Sequence, residues 1–153
     1  MAFLSSMNIV ASGMTAQQLR LDVVAENVTN STTTRTEAGG PYRRKMGVFQ
    51  SVAGRDDFRA AMARAAGGLA PNTGASPAGG VRVTQIVEDP SPMKLVYDPA
   101  HPDANEDGYV EMPNVDMVKE MTDAMAATQA YSANVTAFNT LKSVVAKGLE
   151  IGR

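Results

Sequence analysis

With 153 residues, a formal net charge of −2 and no cysteine, the chain has the length of one ordinary domain and excludes disulfides, thiolate metal sites and a cysteine nucleophile. The slightly acidic balance argues against nucleic acid or an anionic membrane as the main partner. Hydrophobic residues make up 44% and charged residues 20%, but aromatics only 5%, so ten methionines supply the adaptable apolar bulk that suits surfaces which repack.

Residues 1–19 carry no charged side chain, and Ser5, Ser6, Asn8, Ser12 and Thr15 interrupt their apolar run. A secretory signal needs a basic start and an unbroken apolar stretch before its cleavage site. The segment therefore reads as an amphipathic helix that is not cleaved. Met7, Met14, Leu21 and Val28 fall seven apart, with Val10, Gln17 and Val24 between them, a heptad seam with one polar break at Gln17. The pattern ends near Asn30, where Ser31 and three successive threonines disfavour helix. Asn27 and Asn30 suit a helix end because asparagine tolerates the left-handed conformation. At "GGPYRRK" order is expected to resume. Pro41 fixes φ, Tyr42 packs with its hydroxyl in water, and Arg43, Arg44 and Lys45 form the solvated start of a strand.

The middle changes texture. "MGVFQSV", "VRVTQIV", "KLVYD" and, more weakly, "GYVEM" are β-branched or aromatic runs that predict short strands. Phe58, Ala61, Met62 and Ala65 suggest a short helix between the first two runs, and residues 65–80 form a low-complexity surface loop. Near the end, Pro113 and Asn114 read as a helix start, with no further proline or glycine until Gly148. Val118, Met121, Met125 and Thr128 follow 3-4-3 spacing. After a three-residue break, Tyr131, Val135, Phe138, Lys142, Val145 and Leu149 continue the pattern, and such a break overwinds a coiled coil locally. The expected fold is mainly α with a small β insert: a helix in 1–30, a β-containing insert in 31–112 and a long helix in 113–153. The two helices pair in a coiled-coil-like way. Their seams either make the chain's own core or leave apolar surface for other copies, since isolated helices of this kind are marginal in water.

No catalytic constellation is present. The single histidine, His101, sits in "DPAHPDAN" between prolines, and no serine around it has a nucleophile-elbow context. "DANEDG" opens like a calcium loop, with Asp103, Asn105, Asp107 and Gly108 in place. The twelfth position is Asn114 where a bidentate glutamate is needed, and Glu111 falls three too early. The basic cluster at residues 43–45 is too short for a nucleic-acid face. Glycosylation sequons at Asn27, Asn30 and Asn134 are a pattern too common to weigh. No catalytic residue, cofactor or metal is expected.

Both ends nevertheless resemble one family. "LRLDVVAENVTNSTTTRTEAGGPYRRK" is similar to the signature of the bacterial flagellar rod and hook axial proteins, with Ala25, Asn27, Asn30, Thr33, Gly39, Pro41 and Tyr42 on it. "NVD…EM", "AYSANV" and the long closing helix resemble the same family, and "YDPAHPDANEDGYVEMPNV" is similar to its proximal-rod members. Departures are minor: Glu26 and Thr29 replace small or amide residues, and Gln129 stands where many relatives have a basic residue.

The resemblance implies a structural rod subunit, not an enzyme, that binds other copies of itself and other rod proteins. It implies export by the flagellar type III apparatus without signal cleavage, and residence in the basal body across the periplasm. A distal-rod or hook subunit is the alternative within the family, and a calcium-dependent binding module the alternative outside it. Residues expected to meet neighbouring subunits are Met7, Val10, Met14, Leu21, Val24, Asn27, Val28 and Asn30 at one end, then Pro41 and Tyr42. At the other end they are Val118, Met121, Met125, Tyr131, Asn134, Val135, Phe138, Val145 and Leu149.

Overall fold

A helix-forming stretch at each end, separated by β-branched runs between turn residues, folds as its patterning requires. The computed structural model describes residues 2–37, 39–52, 62, 65 and 79–151. Two helices, α1 (Ala2–Thr29) and α2 (Met117–Ile151), flank strands β1 (Lys45–Ser51), β2 (Val81–Glu88), β3 (Lys94–Tyr97) and β4 (Tyr109–Met112). The architecture is thus mainly α with a small β insert. Of the short helix expected through Phe58, Ala61, Met62 and Ala65, Met62 and Ala65 are helical and exposed, while its other positions and most of the loop expected at 65–80 lie outside the described residues. Among the described residues, no helix is long and apolar enough to cross a membrane.

α1 stops because its last carbonyls find side-chain and turn donors. The Asn30 backbone N–H and its side-chain Nδ2 both donate to the Glu26 carbonyl, at 3.0 and 2.9 Å, which satisfies an acceptor the helix would otherwise leave open. Gly39 and Gly40 then take φ of 85° and 80°, a left-handed pair that glycine adopts without steric cost. The Tyr42 amide closes back on the Thr33 carbonyl at 3.0 Å, returning the chain toward the helix it has just left. α2 begins at Met117, four residues after the start expected at Pro113. The cap is Asp116, whose carboxylate accepts the Val118 amide at 3.0 Å, as an N-cap aspartate does. Asn114 instead ties strands and loops together, as described below.

β1 pairs with β2, and β3 pairs with β4 in a second two-stranded sheet. The β3–β4 register is antiparallel, with Lys94 opposite Met112, Val96 opposite Val110 and Tyr97 opposite Tyr109. One face of this hairpin buries Val110, while the other exposes Leu95, Tyr97 and Tyr109. The two tyrosine rings meet edge-on with centroids 5.2 Å apart.

The chain divides into two compact units. One comprises Met1–Gln17, Phe49–Thr84 and Ala130–Arg153. Here the Ser12 hydroxyl accepts the Val81 amide at 3.1 Å and donates to the Ile9 carbonyl at 2.6 Å. Gly80, at φ 111°, passes so close that a Cβ would lie 2.3 Å from Ser12 Oγ. The helices are also close in this unit, since a Cβ on Gly13 would lie 3.0 Å from Asn134 Nδ2. The other unit, Gln18–Val48 and Gln85–Gln129, holds most of the core: Val23, Val24, Tyr42, Val110, Val115 and Ala127, with Asn27 and Glu120 buried among them. Within it, α1 and α2 lie antiparallel, joined by Arg20–Asp123 and Asn27–Glu120.

Replacing Gly80 by Ala forces a side chain into the left-handed region and against Ser12. Thermal or urea denaturation should show a loss of about 2 kcal/mol. Gly148→Ala, on an exposed turn of α2 with nothing within 4 Å, should instead gain about 0.5–1 kcal/mol.

Candidate subunit interface

The interior of the second unit is organised by a side-chain amide. Asn27 sits in the last turns of α1, and its Nδ2 donates to the Lys45 carbonyl at 2.9 Å and to Glu120 Oε2 at 3.0 Å. Its Oδ1 accepts the Tyr42 hydroxyl at 3.0 Å and the Lys45 amide at 2.9 Å. Two donors and two acceptors are the whole capacity of an amide, so every position on it is filled. The residue thereby pins α1 to the strand start at Lys45, to the returning segment at Tyr42 and to the first turns of α2.

Glu120 is fully buried and is held by Asn27 on one oxygen and by Arg44 Nε, at 2.6 Å, on the other. A charge so placed is tolerated only with such partners. Arg44 also reaches the Asp89 carboxylate at 3.6 Å. The Asp89 carboxyl is held below the usual carboxylate range by hydrogen bonds from the Ser91 hydroxyl and amide, with Arg44 adding to the shift. A second amide completes the frame: Asn114 Oδ1 accepts the Arg44 amide at 2.8 Å, and its Nδ2 donates to the Asp89 and Ser91 carbonyls at 3.2 Å each. Lys45 lies 5.5 Å over the Tyr42 ring and pairs with Glu26. Tyr42 was expected to keep its hydroxyl in water. It is buried instead, and burial, then the charges of Glu26, Glu120 and Glu88, push its pKa up to about 12. Arg44, expected as part of a solvated strand start, faces inward for the same reason: Glu120 needs it.

The expected interface residues distribute unevenly. Val24, Asn27 and Tyr42 are buried within the chain. Met7, Val10, Met14, Leu21, Val28, Asn30 and Pro41 are half-buried, as are Tyr131, Asn134, Val135, Phe138 and Val145. Val118, Met121, Met125 and Leu149 are exposed at 73, 57, 74 and 71%. The three-residue break in the expected α2 seam is a change of face. The inward positions are Glu120, Ala124, Ala127, Tyr131, Asn134, Phe138, Leu141 and Val145, a 4-3 heptad line without interruption. Its first half carries small or charged residues, so apolar size pointed to Val118, Met121 and Met125, which face outward. The inward residues that sequence reasoning missed are Glu120, Arg44, Asn114 and the Arg20–Asp123 pair. The signal for the first was available by stepping back in sevens from Leu141 and Asn134.

The "DANEDG" turn has its own use for the residues of a calcium loop. Asn105 Oδ1 accepts the Asp107 and Tyr109 amides at 3.1 and 2.8 Å. His101 Nδ1 accepts the Asp103 amide at 3.1 Å. Among the described residues, no group of three or more metal-ligating side chains is assembled.

Asn27→Asp replaces both donors by an oxygen facing Glu120 and a carbonyl, and denaturation should show a loss of about 3 kcal/mol or more. Tyr42→Phe should cost about 1 kcal/mol. Because the folded chain holds the Tyr42 proton more tightly than the unfolded chain, this residue's contribution is complete below pH 10.0 and lost as pH climbs toward about 12. Ultraviolet tyrosinate titration of the wild type minus Tyr42→Phe should place the missing step near the upper value.

Known proteins match this arrangement along its length. The family described as flagella basal body rod protein matches residues 7–35, and flagellar basal body rod FlgEFG protein C-terminal matches residues 106–151. The flagellar basal-body rod protein FlgC of Bacillus subtilis is 46% identical over 153 residues, covering 97% of each chain. That of Borreliella burgdorferi is 42% identical, covering 99% of this chain and 98% of its own. That of Escherichia coli O6:H1 is 41% identical over the full length of both. With such identity from end to end, the chain belongs to the FlgC family of flagellar basal-body rod proteins.

Proposed function

We propose that the chain is a structural subunit of the flagellar basal-body rod, in its proximal part. There it assembles with other copies and other rod proteins into the helical shaft that carries torque across the periplasm. The observation that carries this reading is the outward line Val118, Met121 and Met125 on α2. These large apolar side chains stand in water in a chain matched end to end by rod proteins. A buried counterpart surface removes that cost, and methionine adapts to the partner's contour. Leu149 extends the same need to the far end of the helix.

The uncharged stretch 1–19 supports carriage by the flagellar type III export apparatus. The ends order fully on assembly, since long helices with one apolar line depend on partners. The ordering cost, about 2–5 kcal/mol for a coupled segment, restrains polymerisation before the site of assembly. The buried amide-centred cluster keeps the second unit folded meanwhile. In this reading the chain carries out no catalysis.

The test replaces Met121 and Met125 by Glu in cells whose own gene for this chain is deleted and supplied in trans. Both residues are exposed in the free chain, so its helical content and melting should stay within about 0.5 kcal/mol of wild type. Swimming through soft agar and recovery of intact rods should be abolished. Full motility of the double variant would remove this surface from the assembly.

A further inference from the structure

Oxidisable sulfur is spread unevenly over the folded chain. There is no cysteine, so no thiol intercepts an oxidant, and the thioethers of methionine are the softest groups it meets. Among the described methionines, Met7, Met14, Met46, Met93 and Met112 are half-buried. Met62, Met117, Met121 and Met125 are exposed, Met121 and Met125 at 57 and 74%. Met117, Met121 and Met125 follow at four-residue steps in α2, which puts them on one helix face over about 12 Å. Val118 stands exposed beside them. Thr122 turns its hydroxyl back onto the Val118 carbonyl at 2.8 Å, so its hydrogen is committed to the helix. Glu120 and Asp123 are engaged on the inward side by Arg44 and Arg20. The outward face is therefore apolar, rich in sulfur and open to small molecules in the free chain.

We infer that Met121 and Met125 form an oxidant-sensitive control site: a hydroperoxide converts them to sulfoxides on the free chain, and the chain so modified is excluded from the rod. The inference rests on the rod-subunit reading and adds a condition that blocks assembly. With hydrogen peroxide, a sulfur lone pair attacks one oxygen, the S–O bond forms and the O–O bond breaks. Sulfur gives up two electrons, and the departing hydroxide takes the proton of the sulfur-bound hydroxyl and leaves as water. A dithiol reductant returns the thioether with release of water and formation of a disulfide, so the mark is reversible. Each sulfoxide puts a strong acceptor on a surface that is otherwise apolar. Buried against a neighbour without a donor, it weakens the contact about tenfold or more. Once a neighbour covers the face, the sulfurs are out of reach, so the control acts before assembly.

The test begins with hydrogen peroxide on the purified full-length chain, followed by peptide mass mapping and circular dichroism. Met121 and Met125 should gain oxygen at least about fivefold faster than the half-buried methionines, with helical content unchanged because both face water. Uniform oxidation, or loss of helix on oxidation, would overturn the inference and leave the rod reading intact. Isolated rods treated alike should show both residues protected. Equal oxidation in rods and free chain would overturn the inference together with the reading beneath it. A second arm supplies Met121→Gln with Met125→Gln in trans, since a neutral amide approximates the polarity of a sulfoxide without charge. Swimming through soft agar should be lost, whereas Met62→Gln, at an exposed methionine away from this line, should swim as wild type. Full motility of the Gln pair, where the Glu pair abolishes it, would overturn the inference alone.

Discussion

A saturated amide is what the second unit depends on. Asn27 links a helix end, a strand start, a returning loop and the opposite helix through four hydrogen bonds. Each partner would otherwise be a buried group with an unmet need, and Glu120 would be a buried charge with one oxygen unheld. The cost of leaving such groups unpaired exceeds what any one of these bonds contributes net. The cluster is therefore cooperative in its failure: disturb the amide and the strand start, the tyrosine and the carboxylate are all released together.

Beside an apolar core of valines, the molecule buries two polar side chains and leaves several large apolar ones outside. Its buried inter-helix positions include Glu120, Ala127, Ala16 and Asn27, while Val118, Met121, Met125, Leu149, Leu95 and Tyr97 stand outside. In a solitary domain that arrangement would waste apolar area. In a subunit it separates two tasks. Directional polar contacts define a shape before any partner is present, because hydrogen bonds and ion pairs have narrow geometry. Non-directional apolar surface is left outside, and it is this surface that we propose for subunit contact.

Most elements were legible in the sequence. The helices follow from heptad periodicity and from the lack of proline inside them, and all four strands fall on the β-branched runs within a residue or so. The helix start at Met117 was misread because Pro113 is a stronger signal in isolation than Asp116, whose capping role depends on where its carboxylate points. The polar interior was illegible for a different reason. A glutamate in a helix ordinarily faces solvent, and nothing in the local sequence says that Arg44, 76 positions away, and Asn27, 93 away, meet it. Family likeness marked Asn27 and Tyr42 as special without saying why. Their mutual hydrogen bond supplies the reason, and it also explains why the tyrosine hydroxyl is dry.

The structure's reliance on side-chain amides has a consequence for durability. Asn27, Asn105 and Asn114 each stand in for backbone hydrogen-bonding groups, and hydrolysis of any one to a carboxylate would turn donors into acceptors. That reaction begins when the amide of the following residue attacks the side chain, and it is fastest when that residue is glycine. Here the following residues are Val28, Glu106 and Val115, and no asparagine in the chain precedes a glycine. Bulk beside the attacking nitrogen slows ring closure. The contacts that define the fold are thereby guarded against chemical ageing.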